Sequence, residues 1–187
     1  MKQIKRHTFS FLLFCLFFTP TSGQQLKKYR ILTYGLPNFE MENSKAVIAN
    51  RWNIEFYSVA GCIIDSDLED SVVKENAIVK KALTIKYGSN WRDKFDTEVD
   101  KEFKLQTKIS NLLNEQPFIK NKQREIEKLE GSLDFKMYPA EKGSLYNIKV
   151  SGYEKLKNEY EYFTYYRLQV NYKTKSVKIV DDRKVKD

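Results

Sequence analysis

The sequence predicts an α+β protein with an N-terminal βαβ unit, a helical middle and a C-terminal antiparallel meander packed on the helices. Three observations predict it. Strand-like apolar patterns at Tyr29–Tyr34 and from Ile54 bracket a short helical pattern, and a strand–helix–strand run of this size predicts a right-handed crossover with parallel strands. Between Ser66 and Gly131 the apolar residues recur every three to four positions, which is helical spacing. Beyond Gly131 the period falls to two, which is strand spacing.

The N-terminus is a targeting segment. Lys2, Lys5 and Arg6 precede the apolar run Phe9–Phe18, and Thr21-Ser22-Gly23 supplies the small residues of a cleavage site. Residues 1–23 therefore read as a signal peptide, and export to the periplasm or beyond is expected. The apolar run is about half of the roughly 20 residues that a membrane span needs, so no transmembrane anchor is expected after cleavage. Val59-Ala60-Gly61-Cys62 spells a lipobox, but Arg51 and Glu55 interrupt the segment ahead of it. Residues 24–187 are expected to form a single domain, made of βαβ plus helices to 131, a β-meander over 132–182 and a frayed tail at 183–187.

Within that domain Tyr29–Tyr34 is the first strand, ended by Gly35-Leu36-Pro37. A helix capped by Asn43 or Ser44 follows, with Ala46, Ile48, Ala49 and Trp52 facing inward. From Ile54 to Ile64 both faces are largely apolar, which predicts a strand covered on both sides with Cys62 buried and its thiol unreactive. Ser66 and Glu69 are spaced as a capping box for a helix over Asp67–Tyr87 that buries Leu68, Val72, Val79, Leu83 and Tyr87. Gly88 is placed as its left-handed C-terminal cap.

Ser89 or Asn90 caps the next helix, whose stripe Trp91, Phe95, Val99, Phe103 continues through Leu105, Ile109 and Leu112. Pro117 opens a last helix through Ile126 and Leu129, closed by Gly131. Leu133–Tyr138, Leu145–Tyr153, Glu161–Tyr172 and Ser176–Val180 read as four meander strands. A cystatin- or NTF2-like curved sheet wrapped on the helices is the nearest architecture for this half.

Composition excludes several chemistries. The chain carries 33 Lys and Arg against 25 Asp and Glu, and removing Lys2, Lys5 and Arg6 leaves 30 against 25. That excess is interleaved with acids rather than gathered in a stripe, so no nucleic acid partner is expected. The single histidine, His7, lies in the signal peptide. Triads and histidine-based zinc sites are thereby removed from the mature chain. Cys62 alone remains after cleavage, so no intramolecular disulfide can form. The acids from Asp65 fail as a calcium loop, because Asp70 and Asn76 stand where glycine and a bidentate acid are required. With no Walker loop or dinucleotide fingerprint either, neither cofactor nor metal is expected, and no catalytic residue is assigned.

Two candidate surfaces remain. Gly35 and Leu36 follow the first strand, and parallel neighbours bring Asp65, Ser66 and Asp67 to the same sheet edge, where α/β folds bind ligands. The aromatic strand carries Tyr162, Tyr165, Tyr166 and Tyr172, a face that can stack on sugar rings or a partner protein. The expected function is an exported envelope protein that binds a protein or glycan without catalysis. The alternative is a histidine-free hydrolase using two carboxylates, as glycosidases do.

Val59-Ala-Gly-Cys-Ile, followed by a helix ending in Lys86-Tyr87-Gly88-Ser89-Asn90-Trp91, resembles the FEKKY-domain proteins of Bacteroidota over roughly residues 30–103. Thr84-Ile85-Lys86-Tyr87 stands in place of the name-giving run. The resemblance implies a bacterial envelope setting and carries over no catalytic residue.

Overall fold

The computed structural model describes residues 28–141, 143–157 and 159–187, so the signal peptide read over 1–23 lies outside the described residues. The architecture is α+β. Strands β1 (Tyr29–Tyr34) and β2 (Ile54–Ala60) pair in parallel around helix α1 (Glu42–Arg51), with Tyr29 opposite Ile54 and Tyr34 opposite Ala60. Helices α2 (Ser66–Tyr87), α3 (Trp91–Asn114) and α4 (Pro117–Glu127) follow. Strands β3 (Ser132–Pro139), β4 (Leu145–Leu156), β5 (Glu159–Asn171) and β6 (Ser176–Asp181) then form an antiparallel meander.

The first sheet is covered on one face, not two. Ile31 and Ile54 point into a core with Ile48, Ala49, Trp52, Leu83, Trp91, Phe95 and Val99. On the opposite face Arg30 pairs with Glu55 at 2.7 Å and lies 5.0 Å from the centre of the exposed Tyr57 ring. Helix α2 seals the edge of β1 instead of its second face. The Asn76 side chain accepts from the Leu32 amide at 2.8 Å and donates to the Leu32 carbonyl at 2.9 Å, as a third strand would. Ala46, expected inside, is exposed on α1.

Strand β2 ends at Ala60, which leaves Cys62 in the following loop with its thiol exposed. The expectation of a buried cysteine is corrected here. Alternation persists to Ile64 in sequence, but no strand partner continues past Tyr34 to hold the backbone extended. In a thiol-reagent titration at neutral pH, Cys62 of the native protein should label nearly as fast as in the denatured chain. Slow native labelling would contradict the exposed loop.

The cap of α2 also moves by one residue. Asp65, with extended backbone, accepts from the Leu68 amide at 2.8 Å, so the box read at Ser66 and Glu69 is not the one used. Gly88 closes the helix as read, with φ of 94° and its amide donating to Thr84.

Helix α3 links the two halves. Its 24 residues span about 36 Å at the usual rise. Trp91, Phe95 and Val99 belong to the first core, while Ile109 and Leu113 pack with Tyr146, Ile148, Val150, Leu168 and Val170 of the meander. Phe103, expected in the stripe, is only partly buried, and Glu102 takes the inner position.

The tail is not frayed. Strand β7 (Val185–Lys186) pairs antiparallel with β5, placing Val185 opposite Thr164 and Lys186 opposite Phe163. Charges hold it there: Lys184 to Glu154 at 2.7 Å, Lys186 to Glu161 at 2.9 Å and Asp187 to Lys149 at 2.8 Å. Two residues with no apolar alternation leave no strand signal in the sequence. None of the described helices is long and apolar enough to cross a membrane.

Candidate functional site

A groove of about 790 Å³ opens between the loop after β1, helix α1, strand β2 and the N-terminal half of α3. It runs along the sheet and reaches the carboxyl end of β1, where a strand hands over to a loop and the backbone is free to turn toward a ligand. Gly35 adopts φ of 87°, a left-handed conformation suited to glycine, and its amide donates to the Gly61 carbonyl at 2.9 Å. This bond fixes the loop that carries Leu36 over the groove.

The walls are aromatic and charged. Phe95 of α3 is buried, and Phe56 of β2 meets it with ring centres 5.8 Å apart. Lys45 of α1 places its ammonium 3.8 Å from the centre of the Phe56 ring. This Lys45 forms no ion pair among the described residues. Burial, and then the nearby Arg92 guanidinium, push Lys45 below the usual lysine range, while Asp96 and Glu42 oppose the shift. Of the other charges on the walls some are paired, and the rest, Lys28 among them, are exposed. Arg92 is bonded to Asp96 at 3.1 Å and Glu55 to Arg30. Glu42 and Asp100 are exposed.

The predicted cleft residues separate in space. Gly35 and Leu36 line the groove, whereas Asp65, Ser66 and Asp67 do not. Asp65 is spent on capping α2, and Ser66 and Asp67 are exposed in the first turn of that helix. In their place the fold brings Lys45, Phe56, Arg92 and Asp96 to Gly35 and Leu36. The Arg92–Asp96 spacing is readable as a helix pair in sequence. Lys45 gives no such signal, since a lysine on a short polar helix reads as solvated.

The tyrosine strand does not present one open face. Tyr165 is buried, and its hydroxyl donates to Glu154 at 2.8 Å. Tyr166 is packed edge-on against Phe118 and Tyr172 against Tyr146, at 5.3 and 6.1 Å between ring centres. Tyr162 is partly buried. A bulge opposite Val150 and Ser151 places an extra residue in β5 and disturbs the simple alternation that the sequence implies.

Carboxyl ionisation is driven down where the fold alters it clearly. Burial alone would raise Glu154, but hydrogen bonds from Lys184 and Tyr165 outweigh it and hold the group below its ordinary value. Asp181 is held down by Arg183, and Asp187 by Lys149 and Thr164. A general acid requires the opposite shift. No group of three or more metal-ligating side chains occurs among the described residues.

The fold and groove together define an α+β protein with a ligand-sized cleft whose floor is aromatic and whose half-buried cation, resting on that floor, forms no ion pair among the described residues. No protein-family model, curated protein or solved structure matches the chain.

Proposed function

We propose that the protein is an exported, non-enzymatic binding module, and that the groove at Gly35, Leu36, Lys45 and Phe56 holds its ligand. The reading of residues 1–23 as a signal peptide and the resemblance to the FEKKY-domain proteins support the envelope setting. The ligand is a glycan or peptide carrying an anionic group, which pairs with Lys45 while its body lies on Phe56 and under Leu36. One observation carries the proposal: Lys45 is half-buried on an aromatic ring with no carboxylate bound to it. Such a cation costs the fold something, and a ligand anion supplies the missing partner.

The sign of that cost gives a test. A lysine whose value is lowered by folding is held less favourably when charged than it is in the unfolded chain. The penalty is present below its folded value and is relieved as pH rises through it. Lys45→Met should therefore leave the protein equally or more stable at neutral pH, while abolishing ligand binding. A thermal-shift screen of carboxylated saccharides and short acidic peptides reads both. Hits at about 100-fold their dissociation constant should add about 2.7 kcal/mol to the wild type and nothing to the variant. Equal stabilisation of both proteins would remove Lys45 from the site, and a destabilised Lys45→Met would make the residue structural.

A further inference from the structure

The outer face of the meander carries a charge pattern that sheet packing does not ask for. The inner face of this sheet is apolar and packs on α3 and α4 through Met137, Tyr146, Ile148, Leu168 and Val170. On the other face the register sets Lys136 of β3 directly opposite Lys149 of β4, and Lys149 directly opposite Arg167 of β5. Like charges in directly opposed positions lie close together and destabilise a sheet. The row ends at Asp181 of β6, which Arg183 already clasps through both its carboxylate oxygens.

Lys149 is paired with Asp187, but Lys136 and Arg167 form no ion pair among the described residues. The next row reads Tyr138, Asn147, Gln169 and Lys178 across the same four strands. Asn147 and Gln169 there are amides that can exchange hydrogen bonds with hydroxyl groups, and Tyr138 is exposed at the edge. Asp134, opposite Ser151, is an acid beside these rows that forms no ion pair among the described residues.

We infer that this face binds an acidic polysaccharide, laid across the strands so that its anionic groups meet Lys136, Arg167 and Lys178 and its hydroxyls meet the amide row. Charge complementarity selects a polyanion. The two rows hold no apolar side chain to enter a lipid surface, and their one aromatic ring stands at the edge, where it offers no platform for a run of bases. This surface is separate from the groove and does not rest on the groove's function.

Binding to immobilised polygalacturonate by the full chain, with neutral dextran as blank, tests the inference. Lys136→Gln/Arg167→Gln should keep the fold, since both side chains are exposed, and should weaken binding about tenfold with a shallower salt dependence. Lys104→Gln/Lys108→Gln, which removes the same charge from the exposed side of α3, should leave binding unchanged. Equal loss in both double variants would reduce the effect to net charge and overturn the inference. So would undiminished binding by the sheet variant, failure to bind polygalacturonate at all, or tighter binding of duplex DNA or phosphatidylglycerol vesicles by the same face.

Discussion

Replacing Phe95 by alanine is expected to cost about 4 kcal/mol, the largest effect of any single truncation in the first core. Phe95 is 1% exposed and holds three elements together. Its ring meets Trp52, at the end of α1, edge-on at 5.8 Å and Phe56 of β2 at 5.8 Å, so α3, α1 and β2 all lose a contact. No nearby chain is free to fill the space, because β1 and β2 are fixed by each other and by Asn76. The groove also lies directly against the site, and a cavity opening toward it admits water to the Phe56 ring. Urea unfolding should show the loss as a lower midpoint. A cost under about 1 kcal/mol would mean that the core around Trp52 is not packed as described.

Glu102→Ala should cost about 3 kcal/mol, for a different reason. Glu102 sits inside α3 between the two cores, where its Oε1 accepts from the Gln106 side chain at 2.9 Å and from the Tyr146 hydroxyl at 2.8 Å. Gln106 in turn accepts from Ser44 at 3.0 Å and from Asn43 at 2.8 Å, and Asn43 also donates to the Met137 carbonyl. One buried chain of hydrogen bonds thus ties α1, α3, β3 and β4. Burial and the bond to Glu102 push the Tyr146 phenol well above its usual value, so the proton stays on Tyr146 and needs an acceptor. Alanine leaves that hydroxyl buried and unpaired; glutamine still offers it an oxygen and should cost about 1 kcal/mol.

The variant should also uncouple the halves. Both tryptophans, Trp52 and Trp91, lie in the first core, so their fluorescence reports that core, while far-ultraviolet circular dichroism reports helices and meander together. The two transitions should coincide in the native protein and separate in Glu102→Ala. Coincident transitions in the variant would show that the hydrophobic contacts of α3 alone bind the halves.

Most of the fold was legible because it rests on periodicity. The three-to-four spacing from Trp91 to Ile109 and the twofold spacing after Gly131 are each repeated often enough to outvote single residues. What was not legible depends on long-range partners. Glu102 and Gln106 look like solvent-facing residues until Tyr146 and Ser44 arrive from remote parts of the chain. Cys62 reads as a strand residue because alternation says nothing about where the pairing strand ends. The tail from Arg183 pairs through ion pairs, and neither Lys184 nor Asp187 reveals Glu154 or Lys149 in advance. The same holds for the groove. Gly35 and Leu36 announce themselves by position after a strand, but Lys45 and Phe56 become a pair only when β2 folds back beside α1.

The groove is the central claim, and a nitrogen-15 amide titration of residues 24–187 with glucuronate, a carboxylated sugar probe, tests it most directly. The account predicts saturable shifts at Gly35, Leu36, Lys45 and Phe56, with Asp65, Ser66 and Asp67 unmoved, and their loss in Lys45→Met. Shifts confined to the meander, or shifts in the groove that persist without Lys45, would contradict it.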